Sequence, residues 1–173
     1  AANLELLPYM ASDSYLELVG ASASSLMLTE SDKLRPLSNI KTLVLTECNA
    51  PFEEILAMPN QMLVRELTIN KGYLDIRDAK AISQWPRLKI VNINTDQSYA
   101  DLLEPLLKCP RLEHLSIKCA NLDLSSLDIS KLTVSNKTLK LAFDKLRLSA
   151  SNTESIKKLK RRFPTITITT PPY

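Results

Sequence analysis

Few residues of this 173-residue chain are equipped for chemistry: one histidine (His114), three cysteines (Cys48, Cys109 and Cys119) and the run Lys157-Lys158-Leu159-Lys160-Arg161-Arg162. His114 beside Glu113, with Cys119 close behind, offers the residue types of a cysteine–histidine nucleophile or of the first ligands of a metal site. Such a nucleophile needs a third group to orient the base and donors for an oxyanion. Here His114 falls on an expected strand face that is open and has no pocket, and Cys119, two places past the inward Ile117, need not point the same way. The only two glycines, Gly20 and Gly72, lie too far apart for a phosphate-cradling loop or a dinucleotide fingerprint. The carboxylates Glu53, Glu54, Asp75 and Asp78 fall at expected helix starts, where the positive end of the helix dipole accounts for them. The chain is therefore read as non-catalytic, with no cofactor and no metal.

The basic run is the strongest charge feature. Its five cations exceed the net charge of +3 of the whole chain, so the remainder is slightly acidic. Lys157, Lys158, Lys160, Arg161 and Arg162 suit phosphates, an acidic lipid, an acidic partner or a nuclear import signal. The simpler explanation is that basic residues belong in the last turn of a helix. No aromatic residues are interleaved for base stacking.

What must position these residues is visible in the apolar pattern. Leucine supplies 31 residues while aromatics make up 5%, a composition of many similar thin layers more than one bulky centre. An aliphatic–x–x–aliphatic–x–aliphatic unit recurs as Ile40-x-x-Leu43-x-Leu45, Val64-x-x-Leu67-x-Ile69, Leu88-x-x-Val91-x-Ile93 and Leu112-x-x-Leu115-x-Ile117, at a spacing of 24. A degenerate fifth copy falls at Asn136-x-x-Leu139-x-Leu141. Alternation inside each unit predicts a short strand with one buried face. Between units, Phe52–Met58, Asp75–Trp85 and Asp101–Cys109 read as helices, each stopped by a proline: Pro59, Pro86 and Pro110. No such unit buries its own apolar face, so neighbours must stack and share a core.

Ile40-Lys-Thr-Leu43-Val-Leu45-Thr-Glu-Cys48 and Cys109-Pro110-Arg-Leu112-Glu-His-Leu115-Ser-Ile117 resemble the leucine-rich repeat, in its ribonuclease-inhibitor-like form common in F-box–LRR proteins and tropomodulins. Gly72, Asp96 and Ala120 stand where that repeat has its ladder asparagine. The resemblance implies an α/β leucine-rich-repeat solenoid, parallel strands on its concave face and helices on its convex one. A single domain then divides into an irregular part (1–39), regular repeats (40–121) and irregular repeats with a cap (122–173). At the front, Leu16-x-Leu18 and Leu26-x-Leu28 are strand-like, with a short helix from Leu34 to Ser38. After Leu122 the pairs Leu122/Leu124, Leu132/Val134, Leu139/Leu141 and Leu146/Leu148 crowd too closely for full helical repeats, which predicts extended segments in place of helices. A helix over Thr153–Arg162, a Phe163-Pro164 stop and a strand at Ile166-Thr-Ile168 close the chain, and Trp85 is a core anchor at a helix end.

In such a repeat the residues between the aliphatics share one surface. Val44, Thr46, Thr68, Asn70, Ile90, Asn92, Asn94, His114, Ser116 and Lys118 form the expected partner-binding face, with Thr42 and Glu66 beside them and Thr138 and Lys140 extending it. Val44 and Ile90 are its exposed apolar contacts; Thr46, Asn70, Asn94 and Lys118 are its column of hydrogen-bond donors. A plain solvated strand face would also carry Thr, Asn and Ser, and this face lacks the Trp, Tyr and Arg that usually anchor interfaces.

The chain begins Ala-Ala-Asn-Leu, with neither an initiator Met nor a signal segment or membrane-length apolar run, and is read as a processed chain or a domain of a longer protein. An odd number of cysteines fits a reducing compartment, cytoplasm or nucleus; Asn136-Lys137-Thr138 matters as a glycosylation sequon only outside it. The expected function is a protein–protein interaction module or scaffold, recognising a partner or substrate in a larger regulatory assembly. The alternative is an RNA-binding repeat domain that uses the basic helix. No F-box is visible in the first forty residues, and the terminal Pro171-Pro172-Tyr173 reads as a frayed end.

Overall fold

In the computed structural model, residues 15–19, 41–47, 63–72, 74–95, 100–119, 122–136, 138–144 and 149–170 are described, 15–19 and Ala100 by their backbone alone. The expected helix over Phe52–Met58, the segments at Leu26–Leu28 and Leu34–Ser38, the Leu146/Leu148 pair and the terminal Pro171-Pro172-Tyr173 lie outside these residues.

The protein is α/β, built on one all-parallel sheet in which each strand bonds to the next in the chain. The strands are β1 (Tyr15–Val19), β2 (Thr42–Thr46), β3 (Glu66–Asn70), β4 (Ile90–Thr95), β5 (His114–Cys119), β6 (Lys140–Phe143) and β7 (Thr167–Thr169), in the order β1-β2-β3-β4-β5-β6-β7. From β2 to β5 the partners are 24 residues apart: Leu43 faces Leu67, Leu67 faces Val91 and Val91 faces Leu115. The repeat read from the sequence is thus the pairing register of the sheet.

The same period governs the backbone at the start of each strand. The Lys41 carbonyl accepts from the N–H groups of Arg65 and Glu66, the Arg65 carbonyl from Lys89 and Ile90, and the Lys89 carbonyl from Glu113 and His114. At the far end, Glu47 and Lys71 adopt the left-handed conformation (φ 53° and 52°) and donate to the carbonyls of Asn70 and Asn94. These two left-handed residues, also 24 apart, turn the chain without glycine, at a modest steric cost.

Alternation along the strands does what the pattern predicts. Leu67, Ile69, Val91, Ile93, Leu115 and Ile117 are buried, and the residues between them are half-buried or exposed. The buried side chains meet those of α1 (Ile76–Ile82), α2 (Leu103–Leu107) and α3 (Ala150–Arg162) in one core, which places the helices against one side of the sheet. Trp85, fully buried just past α1, is the core anchor expected of it. No helix among the described residues is long and apolar enough to cross a membrane.

Each helix has a local reason for its limits. Asp75 caps α1, accepting from the N–H groups of Arg77 (2.7 Å) and Asp78 (3.0 Å), while the Asp78 carboxylate accepts from the Asp75 N–H (3.0 Å). This reciprocal box satisfies donors that a helix start leaves unbonded. Pro105 sits in the first turn of α2, where its missing N–H is not needed. The terminal helix begins three residues earlier than expected, because Ser149 accepts from the Asn152 N–H (3.1 Å) and caps it.

The expectation that helices disappear after residue 122 holds for the described part of the connection between β5 and β6. A single 3₁₀ turn, Ile129–Lys131, and extended chain take the place of a helix. The Asn152 side chain, buried on α3, bonds this extended chain: it accepts from the Leu124 N–H (2.7 Å) and donates to the Leu122 carbonyl (2.9 Å). Ser155 adds a bond to the Leu124 carbonyl (3.3 Å).

The fifth copy requires a correction of register. Leu115 faces Leu141 and Ile117 faces Phe143, an offset of 26 and not 24. The physical reason is burial: Leu141 and Phe143 fill the inward positions of β6, and Leu139, also buried, precedes the strand. The final strand is likewise shifted by one residue from the expected Ile166–Ile168.

Two outcomes test this packing. Leu115→Ala, in the middle of the sheet, should cost about 2–5 kcal/mol as a shifted urea midpoint, whereas Lys118→Ala on the same strand should stay within about 0.5 kcal/mol. Asp75 gives a pH signature. Burial raises its pKa, but the Asp78 and Arg77 N–H groups and the Arg77 guanidinium outweigh this and hold the carboxyl below its ordinary value. The folded chain then binds fewer protons than the unfolded one, so the cap stabilises above about pH 3.9 and is lost as pH falls through the depressed folded value. Asp75→Ala should cost about 1 kcal/mol at neutral pH and flatten the acid limb of the unfolding curve.

Candidate functional site

The face of the sheet opposite the core brings the sequence-selected residues together in columns. Thr42, Glu66, Ile90, His114, Lys140 and Thr167 form one column, and Val44, Thr68, Asn92, Ser116, Ala142 and Thr169 a second. Thr46, Asn70, Asn94 and Lys118 form a third, shorter one. Neighbouring members of a column stand about 4.8 Å apart, the spacing of bonded strands. Of the ten residues selected for partner binding, Thr46, Thr68, Asn70, Ile90, Asn92, Asn94, His114 and Ser116 are half-buried and Lys118 is exposed.

Val44 departs from expectation: at 9% exposure it is not an exposed apolar contact. It is a small side chain in the middle of β2, flanked in register by Glu17 and Thr68 on the adjoining strands. Ile90, half-buried, is not an exposed contact either, and Thr138 is a third departure. The two-residue lengthening before β6 leaves it ahead of the strand, and Lys140 and Ala142 continue the first two columns instead.

The face also uses part of its own hydrogen-bonding capacity. Asn94 Nδ2 donates to Asn70 Oδ1 at 2.8 Å, and Asn92 Nδ2 approaches Thr68 Oγ1 at 3.4 Å. Ser116 Oγ bonds Asp144 Oδ2 at 2.9 Å. Residue types alone identify a donor column, but these mutual bonds depend on register. They hold the side chains upright across the sheet, an ordered polar surface more than a set of loose donors.

His114 and Cys119 do not come together. Positions 114, 116 and 118 face away from the core, whereas Leu115, Ile117 and Cys119 are buried. Five residues along a strand put the two side chains on opposite faces. Glu113 is engaged with Lys89 at 2.9 Å, and no group of three metal-binding side chains occurs among the described residues. Cys109 is also fully buried, and burial pushes its thiol up to about 11. The sequon residue Asn136 is half-buried, and its amide nitrogen donates to the Leu112 carbonyl at 2.8 Å.

The basic helix is the second surface. Lys157, Lys158, Lys160, Arg161 and Arg162 are all exposed on α3, whose inward stripe is Asn152, Ser155, Ile156 and Leu159. Lys158, Arg161 and Arg162 border an open depression of about 370 Å³ with Ile129 and Ser130 of the 3₁₀ turn. Capping that turn from the residue before it, Asp128 accepts from Ser130 and pairs with Lys131 (3.1 Å), contacts that lower its pKa.

Comparison of the chain with protein-family models and with curated proteins finds no match.

The thiol geometry gives a direct check. In a Cys48→Ser variant, neither remaining thiol should react with a disulfide reagent at pH 8 while the chain is folded. Both should react once denaturant is added, because only unfolding exposes Cys109 and Cys119.

Proposed function

We propose that this chain is a leucine-rich-repeat solenoid of the ribonuclease-inhibitor-like, F-box–LRR type, and a non-catalytic protein–protein interaction module. Its outward sheet face takes the part of the concave surface and its helices that of the convex one. The observation that carries the reading is the unbroken 24-residue register from β2 to β5, which aligns like positions of successive units in columns. A surface made this way is extended, fairly rigid and rich in outward Thr, Asn and Ser. It suits a partner that lies across several strands, in the manner of a substrate- or partner-recognising domain of a larger regulatory assembly. Rigidity matters energetically, since side chains already held by neighbours lose little further freedom on binding.

The partner is expected to cross the middle of the face, where Thr68, Asn92 and Ser116 follow one another in a column. Asn92→Arg puts a long cation there without disturbing the buried side of β4. Affinity capture from cell extract should lose its specific partner with Asn92→Arg and keep it with Arg87→Glu, an exposed change outside the strands. Circular dichroism should show both variants folded. An unchanged captured set with folded Asn92→Arg removes the sheet face as the binding surface.

A further inference from the structure

We propose that the C-terminal half of α3, with the 3₁₀ turn at Ile129–Lys131, is a docking site for an acidic peptide segment. This second surface lies on the helical side of the sheet and is independent of the sheet-face reading.

The first argument is unanswered charge. Lys157, Lys158, Lys160, Arg161 and Arg162 put five positive charges on two turns of helix, and no ion pair joins any of them to a carboxylate among the described residues. Glu154 stands one turn before Lys158 without pairing to it. Asp128, the acid that caps the neighbouring turn, is already matched by Lys131. The helix dipole accounts for a fraction of the charge only, since the C-terminus carries about half a negative charge against five positive ones.

The second argument is shape. Lys158, Arg161 and Arg162 fall at helical spacings of three and four, so they share one face and border the depression over Ile129 and Ser130. Arg162 is held there: its Nη2 donates to the Leu132 carbonyl at 3.1 Å, and its guanidinium carbon lies 5.4 Å from the Phe163 ring centre. A guanidinium fixed at one N–H keeps others for an incoming carboxylate, and paired arginines suit carboxylates by bidentate contact. Nucleic acid fits less well, because α3 itself carries no aromatic residue and the Phe163 ring at its end is half-buried against Arg162.

The probe is a fluorescent ten-residue glutamate peptide, with binding followed by polarisation. Saturable binding at about 50 mM salt should weaken at least tenfold with Lys158→Glu/Arg161→Glu, and should weaken as salt rises. Lys158→Ala/Arg161→Ala should weaken it less, and Asn92→Arg on the sheet face should leave it unchanged. Arg65→Glu/Arg87→Glu changes net charge equally at exposed sites away from α3 and should retain most of the affinity. The proposal is overturned if the peptide does not bind, if the two charge reversals weaken it equally, or if a ten-nucleotide thymidine strand binds more tightly than the peptide.

Discussion

A strand of five residues leaves its backbone donors and acceptors pointing sideways, and only another strand at the same height can bond them. Everything else in this protein is arranged around keeping that height constant. Between β2 and β5 the connections bring the chain back after 24 residues each time, whether or not they contain the same helix. The carbonyls of Lys41, Arg65 and Lys89 each gather two N–H groups from the following unit, tying successive strand starts together before the sheet ladder begins. With strand height fixed, the alternation of side chains can separate a continuous core from a continuous surface.

Where the unit changes, the backbone accounting changes with it. The connection after β5 gives up a helix for extended chain, and extended chain beside a core has no internal bonds of its own. Asn152 and Ser155 supply them from α3. Asn152 both accepts and donates, as a strand residue would, so one amide side chain stands in for a missing backbone neighbour. This explains why two polar residues, Asn152 and Ser155, are buried in the inward stripe of a helix otherwise lined by Ile156 and Leu159.

The sequence carried the period because burial is demanding: a position in contact with the core must be aliphatic, and in strands that requirement repeats on alternate residues. Leu67/Ile69, Val91/Ile93 and Leu115/Ile117 are legible as inward pairs in the sequence alone for that reason. The same rule misplaced the fifth strand, since Leu139/Leu141 satisfies a 24-residue frame as well as Leu141/Phe143 satisfies a 26-residue one, and all three are buried. The exposure of Val44 was not legible because parity says which way a side chain points, not what surrounds it. The bond between Asn70 and Asn94 was hidden for a related reason, as it exists only once register sets the two amides side by side. The start of the last helix, by contrast, was present in the sequence as Ser149 three residues before Asn152, a capping spacing masked by the polar residues that follow.

The constant offset from β2 to β5 makes the middle of the protein modular. Because Glu66, Ile90 and His114 occupy equivalent points of one lattice, removing or duplicating the residues between two such points would return the chain to the same height and leave the pairings on either side intact. Such a cut changes the length of the surface without changing its pattern. Beyond Ile117 no equivalent cut exists, since the offset lengthens to 26 and the connection relies on a side chain thirty residues away. The molecule therefore has an interchangeable middle and a committed end, which limits insertions and losses of whole units to the former.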